Sequence, residues 1–570
     1  MRLNKQLSTD FERDIAGGET PFSEYPRPRL RRDSYLCLNG KWQLEIERRG
    51  ERVFDSEILV PFVPESRISG VERETAADET LIYRREVTLP RGFAGHRLML
   101  HVGACDQYAE VFIDGDRVGE HVGGYLPFRL DITEAVVGKD SFTLCVKARD
   151  PLDLDLPYGK QTRRRGGMWY TNVSGIWQTV WLESVPMEFI EDIKITTDLD
   201  GADICVVGGA ERKTLCFGDN EYTFDGEHFR LDIEKPRHWY PDDPYLYEFE
   251  IRAGEDCVRS YFGLRTVSVE TRGDKPVICL NGKPLFCHGL LDQGYFSDGI
   301  FLPASPRGFE NDILQMKSCG FNMLRKHIKL EPELFYYYCD KLGMLVFQDF
   351  INSGKYSFLT DTALPTAFLK RGVNHRATAR RRAEFEATAE GIVDQLYSHP
   401  SVVYYTIFNE GWGQFDGDKY YHHFKALDPT RVWDTASGWF KTRHSDVISE
   451  HVYFKPVRLK GDGKHALVLS EFGGYSCKLP DHAYNLDKTY GYRYFSDTEA
   501  FQSALLGLYR NEVLPAIDGG LCAAVLTQVS DVEDETNGLL TYDRRCLKVD
   551  AEAMMTLSRE LYGRFEQIYK

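Results

Sequence analysis

Three units are expected from this sequence: a jelly-roll-like β-sandwich over residues 1–185, an immunoglobulin-like β-sandwich over 186–272 and a (β/α)8 TIM barrel over 273–570. Two textures predict them. As far as about residue 272, short alternating or β-branched runs are broken by turn residues; after Pro276, unalternating apolar runs of five to eight residues are separated by long amphipathic stretches. Length agrees, because 570 residues lie well beyond the roughly 250–300 at which a single core stops growing.

In the first unit KWQLEIE, LIYRREVTL, HRLMLHV, YAEVFIDGDRV, DSFTLCVKA and IWQTVWLESV read as strands, with Asp114-Gly115 as a hairpin turn. FIEDIKITTDL, ADICVV, TLCFG, HFRLDIE and YLYEFEIRAG repeat the texture over a length that fits an immunoglobulin-like sandwich of about 90–100 residues. In the third unit strands are expected at 285–291, 322–327, 344–350, 402–408, 431–437, 446–453, 466–471 and 521–528. PRGFENDILQMKSCG, EPELFYYYCDKLG, ATARRRAEFEATAEGIVDQLYSHP and SDTEAFQSALLGLYRNEVLP read as intervening helices, and AEAMMTLSRELYGRFEQIYK as a last one. Eight strands alternating with helices over roughly 300 residues match a (β/α)8 barrel.

Composition narrows the partners. Seventy basic against 87 acidic residues leave a charge of −17, with no net positive field to gather nucleic acid or an anionic membrane. The runs Arg163-Arg164-Arg165 and Arg380-Arg381-Arg382 read as solvated faces or local ion pairs. Thirteen cysteines without a CxxC pair give neither a zinc knuckle nor a disulfide framework, so a reducing, cytoplasmic setting is expected, and no leader or membrane span is read. Asn172-Val173-Ser174 is a glycosylation acceptor in pattern only; GWGQFDGD lacks the ending of a phosphate loop and reads as a turn-rich βα loop. No G-x-S-x-G elbow supports an esterase.

A (β/α)8 barrel places its chemistry at the C-terminal ends of its strands. The fourth expected strand ends in IFNEGWG, delivering Asn409 and Glu410; the seventh ends in VLSEFGG, delivering Glu471. Two carboxylates across a dry cavity mouth suit cleavage of a glycosidic bond. One must be neutral to protonate the leaving oxygen and the other ionised to attack or stabilise the anomeric carbon, and mutual repulsion with burial separates their pKa values.

The strand-end motifs FNEGWG and SEFGG, with GIWQTVWLE, LNGKPLFCHG and FNMLRKH in this order, resemble glycoside hydrolase family 2, the family of β-galactosidases, β-glucuronidases and β-mannosidases, from about residue 35 to the end. The resemblance implies a retaining β-glycosidase working through a covalent glycosyl-enzyme; an exo-acting enzyme is expected, with no cofactor and no metal site. Glu410 would be the acid/base and Glu471 the nucleophile, with the carboxyls about 5–5.5 Å apart. Asn409 would bond the sugar 2-hydroxyl, Arg325 would keep Glu471 ionised, His327 would bind a ring hydroxyl and Tyr453 would bond the nucleophile. Asp349 would stand behind the acid/base. Asp292, which departs from the Asn-Arg-His pattern of the large β-galactosidases, is a candidate sugar contact, and Trp412 and Trp439 are candidate aromatic platforms.

The sugar is read from one segment. Family β-glucuronidases bind the substrate carboxylate with Asn-x-Lys, whereas VEDETNGLLTYDRR places Glu535 and Asn537 there beside Asp531, Glu533 and Asp534. That favours a neutral sugar and β-galactosidase activity, with β-glucuronidase or another β-glycosidase specificity as the alternative; a catalytically silent carbohydrate-binding protein is the alternative of another class. Neither the further domains of the large β-galactosidases after the barrel nor a cluster for their metal ions is expected. Carbohydrate or glycoside is the expected ligand, with a homo-oligomer as the expected assembly; sugar binding by the first sandwich alone is open.

Overall fold

A computed structural model describes residues 2–93, 96–364 and 375–569. Its first sandwich stacks a six-stranded antiparallel sheet (Glu51–Val60, Gly40–Arg48, Glu79–Thr88, Ser141–Arg149, Tyr108–Ile113, Asp116–Val122) on a four-stranded one (Leu36–Cys37, Val180–Val185, Arg97–Val102, Phe128–Asp131). Alternation decides what each strand buries. Gly40–Arg48 turns Trp42, Leu44 and Ile46 inward, against Leu81 and Tyr83 of the neighbouring strand. Asp114 and Gly115 both take positive φ, 51° and 96°, so the expected hairpin turn is of the primed kind that matches strand twist.

The second unit packs a three-stranded sheet (Ile190–Thr197, Gly201–Gly208, His228–Asp232) on a four-stranded one (Asn220–Asp225, Arg212–Phe217, Tyr247–Ala253, Asp256–Phe262) around Ile193, Ile204, Val206, Leu215, Ile251 and Phe262. A hairpin, Val267–Arg272 with Lys275–Leu280, then leads into the barrel and buries Val277 to Leu280 in the barrel's own core.

The eight barrel strands are parallel: one (Cys287–Asp292), two (Met323–Lys326), three (Leu345–Asp349), four (Val402–Asn409), five (Val432–Ser437), six (Val447–Val452), seven (Ala466–Gly473) and eight (Leu521–Thr527). Nearly every residue in them is buried, which explains the unalternating runs in the sequence. The ladder is continuous from five through one to six; between five and six the barrel is closed by the Asp446 amide donating to the Trp433 carbonyl at 2.9 Å.

The connections depart from strict alternation. Among the described residues no helix follows strands five and six. After strand four, Gly417–Leu427 is helical and buries Tyr420 and Phe424 one turn apart; the sequence predicts no helix here, only the turn-rich GWGQFDGD loop at its start. Its start has no side-chain cap and follows Asp416 in a left-handed conformation, so the usual start signals are missing. The expected helix at 496–515 runs from Thr498 to Leu508 and widens into a π turn, Tyr509–Val513, just before Pro515, which has no N–H to continue the ladder. All thirteen cysteines are free, and no helix among the described residues is long and apolar enough to cross a membrane.

Candidate active site

Strand ends bring one cluster together at the barrel mouth. Glu410 leaves strand four with φ +54° and is followed by Gly411 at φ +72°. A Cβ at Gly411 would lie 2.0 Å from the Phe440 ring, so only glycine permits the turn that carries Glu410 into the mouth. Glu471 comes off strand seven, and carboxylate oxygens of Glu410 and Glu471 lie within 4.8 Å of each other and of a His451 ring nitrogen.

Arg325 is the hub. Its guanidinium, 1% exposed, meets Asp349 Oδ1 (3.0 Å), Glu471 Oε1 (3.0 Å), the Ser470 carbonyl (2.9 Å), Asn409 Oδ1 (2.9 Å) and Ser437 Oγ (3.0 Å). Tyr453 donates to Glu471 Oε2 at 2.5 Å and meets Thr527 Oγ1 at 2.8 Å, with its ring stacked on Tyr492. Burial alone would push the Glu471 carboxyl up. The charges of His451, Arg325 and His327 and the Tyr453 hydrogen bond overcome this and hold it down at about 2, so it is an anion at any working pH. Because that value lies below the ordinary 4.5, ionised Glu471 stabilises the fold above about pH 4.5 and this contribution fades as pH falls towards 2.

One prediction follows for Arg325→Met. Glu471 and Asp349 would be left buried without their common cation, costing about 3–5 kcal/mol of stability. The Glu471 pKa rises, so the acid limb of kcat/KM moves to higher pH. A pH profile and thermal unfolding check both; an unmoved acid limb in a folded variant would show that Arg325 does not govern this carboxylate.

Several expected positions change meaning. Asp349 lies behind Arg325 and His327, bonding His327 Nδ1 at 2.7 Å, and makes no hydrogen bond to Glu410 among the described residues. Its place is behind the support of Glu471 because strands two and three are direct neighbours. Asp292 is engaged on both oxygens, by Lys326 Nζ (2.7 Å) and the Gly294 amide (2.9 Å), and shares no bond with the carboxylate cluster among the described residues. Trp412 is 3% exposed, donates to the Gly354 carbonyl at 3.0 Å and packs on Tyr158 and Trp169; it is a plug beneath the mouth, not an open platform. Trp439 is half-buried, edge-on to His451 at 5.8 Å. Asn409 uses Oδ1 for Arg325 and Ser437 (2.7 Å), which leaves its amide donors for a ligand.

His451 is the residue the sequence reading overlooked. Its Nδ1 is 2.8 Å from Glu410 Oε1 and 3.5 Å from Glu471 Oε2, and its Nε2 is 3.4 Å from Arg325 Nη1. The signal was present, because a strand that points Tyr453 at Glu471 points the residue two earlier the same way. Glu410, His451 and Glu471 have the donor set of a cation site, but Arg325 and Tyr453 already occupy the Glu471 oxygens, so the group is complete as a hydrogen-bond cluster.

The acidic segment after strand eight is less free than its composition suggests. Asp531 pairs with Lys548 at 2.7 Å, Glu533 with Arg165 at 3.3 Å and the Thr171 amide at 2.9 Å, and Asp534 accepts from Asn485 at 2.6 Å. Arg165 thus joins the first sandwich to the barrel, and Arg381 donates to the Ser353 and Gly413 carbonyls, so neither basic run is simply solvated. Glu535 is bonded by the Tyr170 hydroxyl and by Asn537 Nδ2 (3.1 Å), and has no cationic partner within ion-pair distance among the described residues.

Two β-sandwiches leading into a parallel barrel with paired carboxylates at its mouth define the class of multidomain barrel proteins with a carbohydrate-type site. Residues 37–186 match the sugar binding domain of glycosyl hydrolases family 2, residues 188–265 a further domain described as glycosyl hydrolases family 2, and residues 272–460 that family's TIM barrel domain. The chain belongs to glycoside hydrolase family 2. It is similar to a beta-galactosidase of Aeromonas hydrophila subsp. hydrophila (25% identity over 491 residues, 76% of this chain and 44% of that one) and to a beta-glucuronidase of Canis lupus familiaris (27% over 405 residues, 61% and 58%). The chain thus spans about half the length of these curated relatives. Its fold is that of a beta-D-glucuronidase from Dictyoglomus thermophilum, with a TM-score of 0.73 at 20% identity over 94% of this chain and 98% of that one. A GH2 beta-galacturonidase from Eisenbergiella tayi bound to galacturonate shares it, with a TM-score of 0.69 at 20% identity over 93% and 98%.

Proposed function

We propose that this chain is a retaining exo-β-glycosidase that removes a terminal neutral sugar, with β-galactoside as the first candidate. The observation that carries the reading is the pair of carboxylates within 4.8 Å, one of them clamped as an anion. Oxygens of the two carboxylates this close suit the roughly 5–5.5 Å spacing of a retaining pair better than the roughly 6.5–9.5 Å of an inverting one.

In the first step a Glu471 oxygen attacks the anomeric carbon and the glycosidic C–O bond breaks, while Glu410 gives its proton to the departing oxygen. In the second, Glu410 takes a proton from water, the water oxygen bonds the anomeric carbon and Glu471 leaves. Two inversions restore the β configuration. Arg325 and Tyr453 hold the nucleophile, Asp349 orients Arg325 and His327, and the Asn409 amide and His327 Nε2 are the groups for sugar hydroxyls. His451 bridges acid/base and nucleophile, where a proton moves on each half-reaction.

Support for a neutral sugar rests on Glu535, the one acid among Asp531, Glu533, Asp534 and Glu535 with neither an ion-pair partner nor an amide partner from a distant segment among the described residues. The curated relatives carry both names, beta-galactosidase and beta-glucuronidase, and the second keeps a β-glucuronide as the competing substrate. NMR of the first product formed is expected to contain the β anomer; an initial α anomer would mean inversion. A panel of nitrophenyl glycosides is expected to rank the β-galactoside above the β-glucuronide. Turnover of the whole panel at the level of Glu471→Ala would instead mark a non-catalytic carbohydrate-binding protein.

A further inference from the structure

An arm of the first sandwich reaches into the barrel mouth. The amides of Tyr158 and Gly159 donate to the Asn352 carbonyl at 3.0 and 3.3 Å, and the Tyr158 hydroxyl donates to the Gly354 carbonyl at 2.7 Å, all on the segment after strand three. Gly159 has φ +69°, and a Cβ there would lie 2.7 Å from the carbonyl oxygen of Ile328, the residue after His327. The arm therefore sits directly on the end of strand two, and the next residue is Lys160.

Lys160 is fixed at its backbone and free at its tip. Its carbonyl accepts from the Tyr170 amide at 3.1 Å, and Tyr170 sends its hydroxyl to Glu535. Trp169, the neighbour of Tyr170, rests edge-on against Trp412 at 4.9 Å, and the Lys160 ammonium is 5.8 Å from the Trp169 ring centre. Other lysines near the mouth are consumed: Lys326 by Asp292 and Glu331, Lys329 by Glu331 and two carbonyls, Lys548 by Asp531. Among the described residues Lys160 Nζ has neither an ion pair nor a hydrogen bond, and it is half-buried. Tyr170 links Lys160 to Glu535, its amide bonded to the Lys160 carbonyl and its hydroxyl to Glu535; burial raises the Glu535 carboxyl and the charge of Lys160 opposes that rise.

The geometry points to Lys160 and Glu535 as a two-domain reader of the sugar's edge remote from the scissile bond, the ammonium donating to and the carboxylate accepting from hydroxyls. The two groups flank strand one, on the far side of the ring from Glu410, and no ion pair within 4 Å neutralises them before a sugar arrives. A hydroxylated sugar satisfies both. A hexuronate brings a second anion next to Glu535, and like charges at close quarters are strongly disfavoured. This deepens the neutral-sugar reading above and rests on it. Glu535 also predicts how specificity changes: without its charge Lys160 becomes an uncompensated cation suited to a sugar carboxylate.

The test compares wild type, Lys160→Met, Glu535→Gln and the double variant on nitrophenyl β-galactoside, β-glucuronide and β-galacturonide, with calorimetric binding of galactose and galacturonate. Lys160→Met is expected to lower kcat/KM on the galactoside about 10- to 100-fold, the value of a hydrogen bond to a charged group. Glu535→Gln is expected to raise the uronide-to-galactoside ratio of kcat/KM at least about tenfold, and adding Lys160→Met is expected to abolish the gain. A merely structural role would lower all rates without moving that ratio. An unmoved ratio with normal turnover overturns the pair and leaves the glycosidase reading standing. A wild type that prefers a uronide and loses that preference in Lys160→Met overturns it too, making Lys160 a carboxylate reader. No turnover, with galactose bound and the preference reversed by Glu535→Gln, supports the pair and sinks the enzyme; binding of neither sugar sinks both.

Discussion

Glu471→Ala is expected to lower kcat/KM by at least ~10⁵-fold on every glycoside that the wild type cleaves, with no covalent intermediate left to trap. The effect is large because in the proposed mechanism the carboxylate performs a bond-forming step that no neighbour can take over: Arg325 and Tyr453 are donors, and His451 is already engaged with Glu410. Stability should respond far less than activity, since Arg325 keeps Asp349, Asn409 and Ser437 as partners. The void left by the side chain is lined by these donors, so azide or formate should restore turnover and give, with azide, the α-glycosyl azide by a single displacement. Mass spectrometry of the wild type held at the intermediate should place the sugar on the peptide containing Glu471. A trapped sugar on Glu410, or unchanged turnover in Glu471→Ala, would overturn the assignment of the nucleophile.

Glu410→Ala should divide substrates by leaving group. For alkyl glycosides, whose departing oxygen needs a proton, kcat/KM is expected to fall about 10²- to 10⁴-fold. For an activated phenol the first step needs no proton, so kcat/KM, which reports that step, should fall less than about tenfold. The second step still lacks its base, so kcat falls for both and a burst of phenol precedes the slow steady state. Equal losses of kcat/KM across leaving groups would remove Glu410 from the acid role. Glu410→Gln is the companion variant, because it keeps a partner for His451 Nδ1 while removing the transferable proton.

Much of the barrel was legible in the sequence, for a definite physical reason. A strand buried on both faces is written as an unbroken apolar run, and a polar residue that ends such a run has few places to go except the mouth. Glu410 directly follows the observed strand Val402–Asn409, which ends one residue past the expected end, and Glu471 lies two residues inside the end of Ala466–Gly473, which runs on to Gly473. The helix Gly417–Leu427 was not legible, because Gly413, Asp416 and Gly417 at its start carry loop chemistry and its burial comes from Tyr420 and Phe424 docking on the barrel.

Charge was the part most often misread from sequence. Asp531, Glu533 and Asp534 looked like a repelling patch, yet each is bound by Lys548, Arg165 or Asn485 from a distant segment, and only Glu535 remains for the site. Trp412 looked like a stacking surface and is a buried plug. In both cases the missing information was which remote segment arrives, a matter of how three units pack together.

Residue order by itself therefore determined the architecture, the family and the two carboxylates, because these depend on local periodicity and on residues at strand ends. Tertiary structure alone decided that Asp349 supports Arg325 rather than Glu410, that His451 joins the two carboxylates, and that Tyr170 of one domain bonds Glu535 of another. Hydrogen bonds and electrostatic fields act over a few ångströms of space, and the separation of 365 residues between Tyr170 and Glu535 is closed only when the first sandwich docks on the barrel.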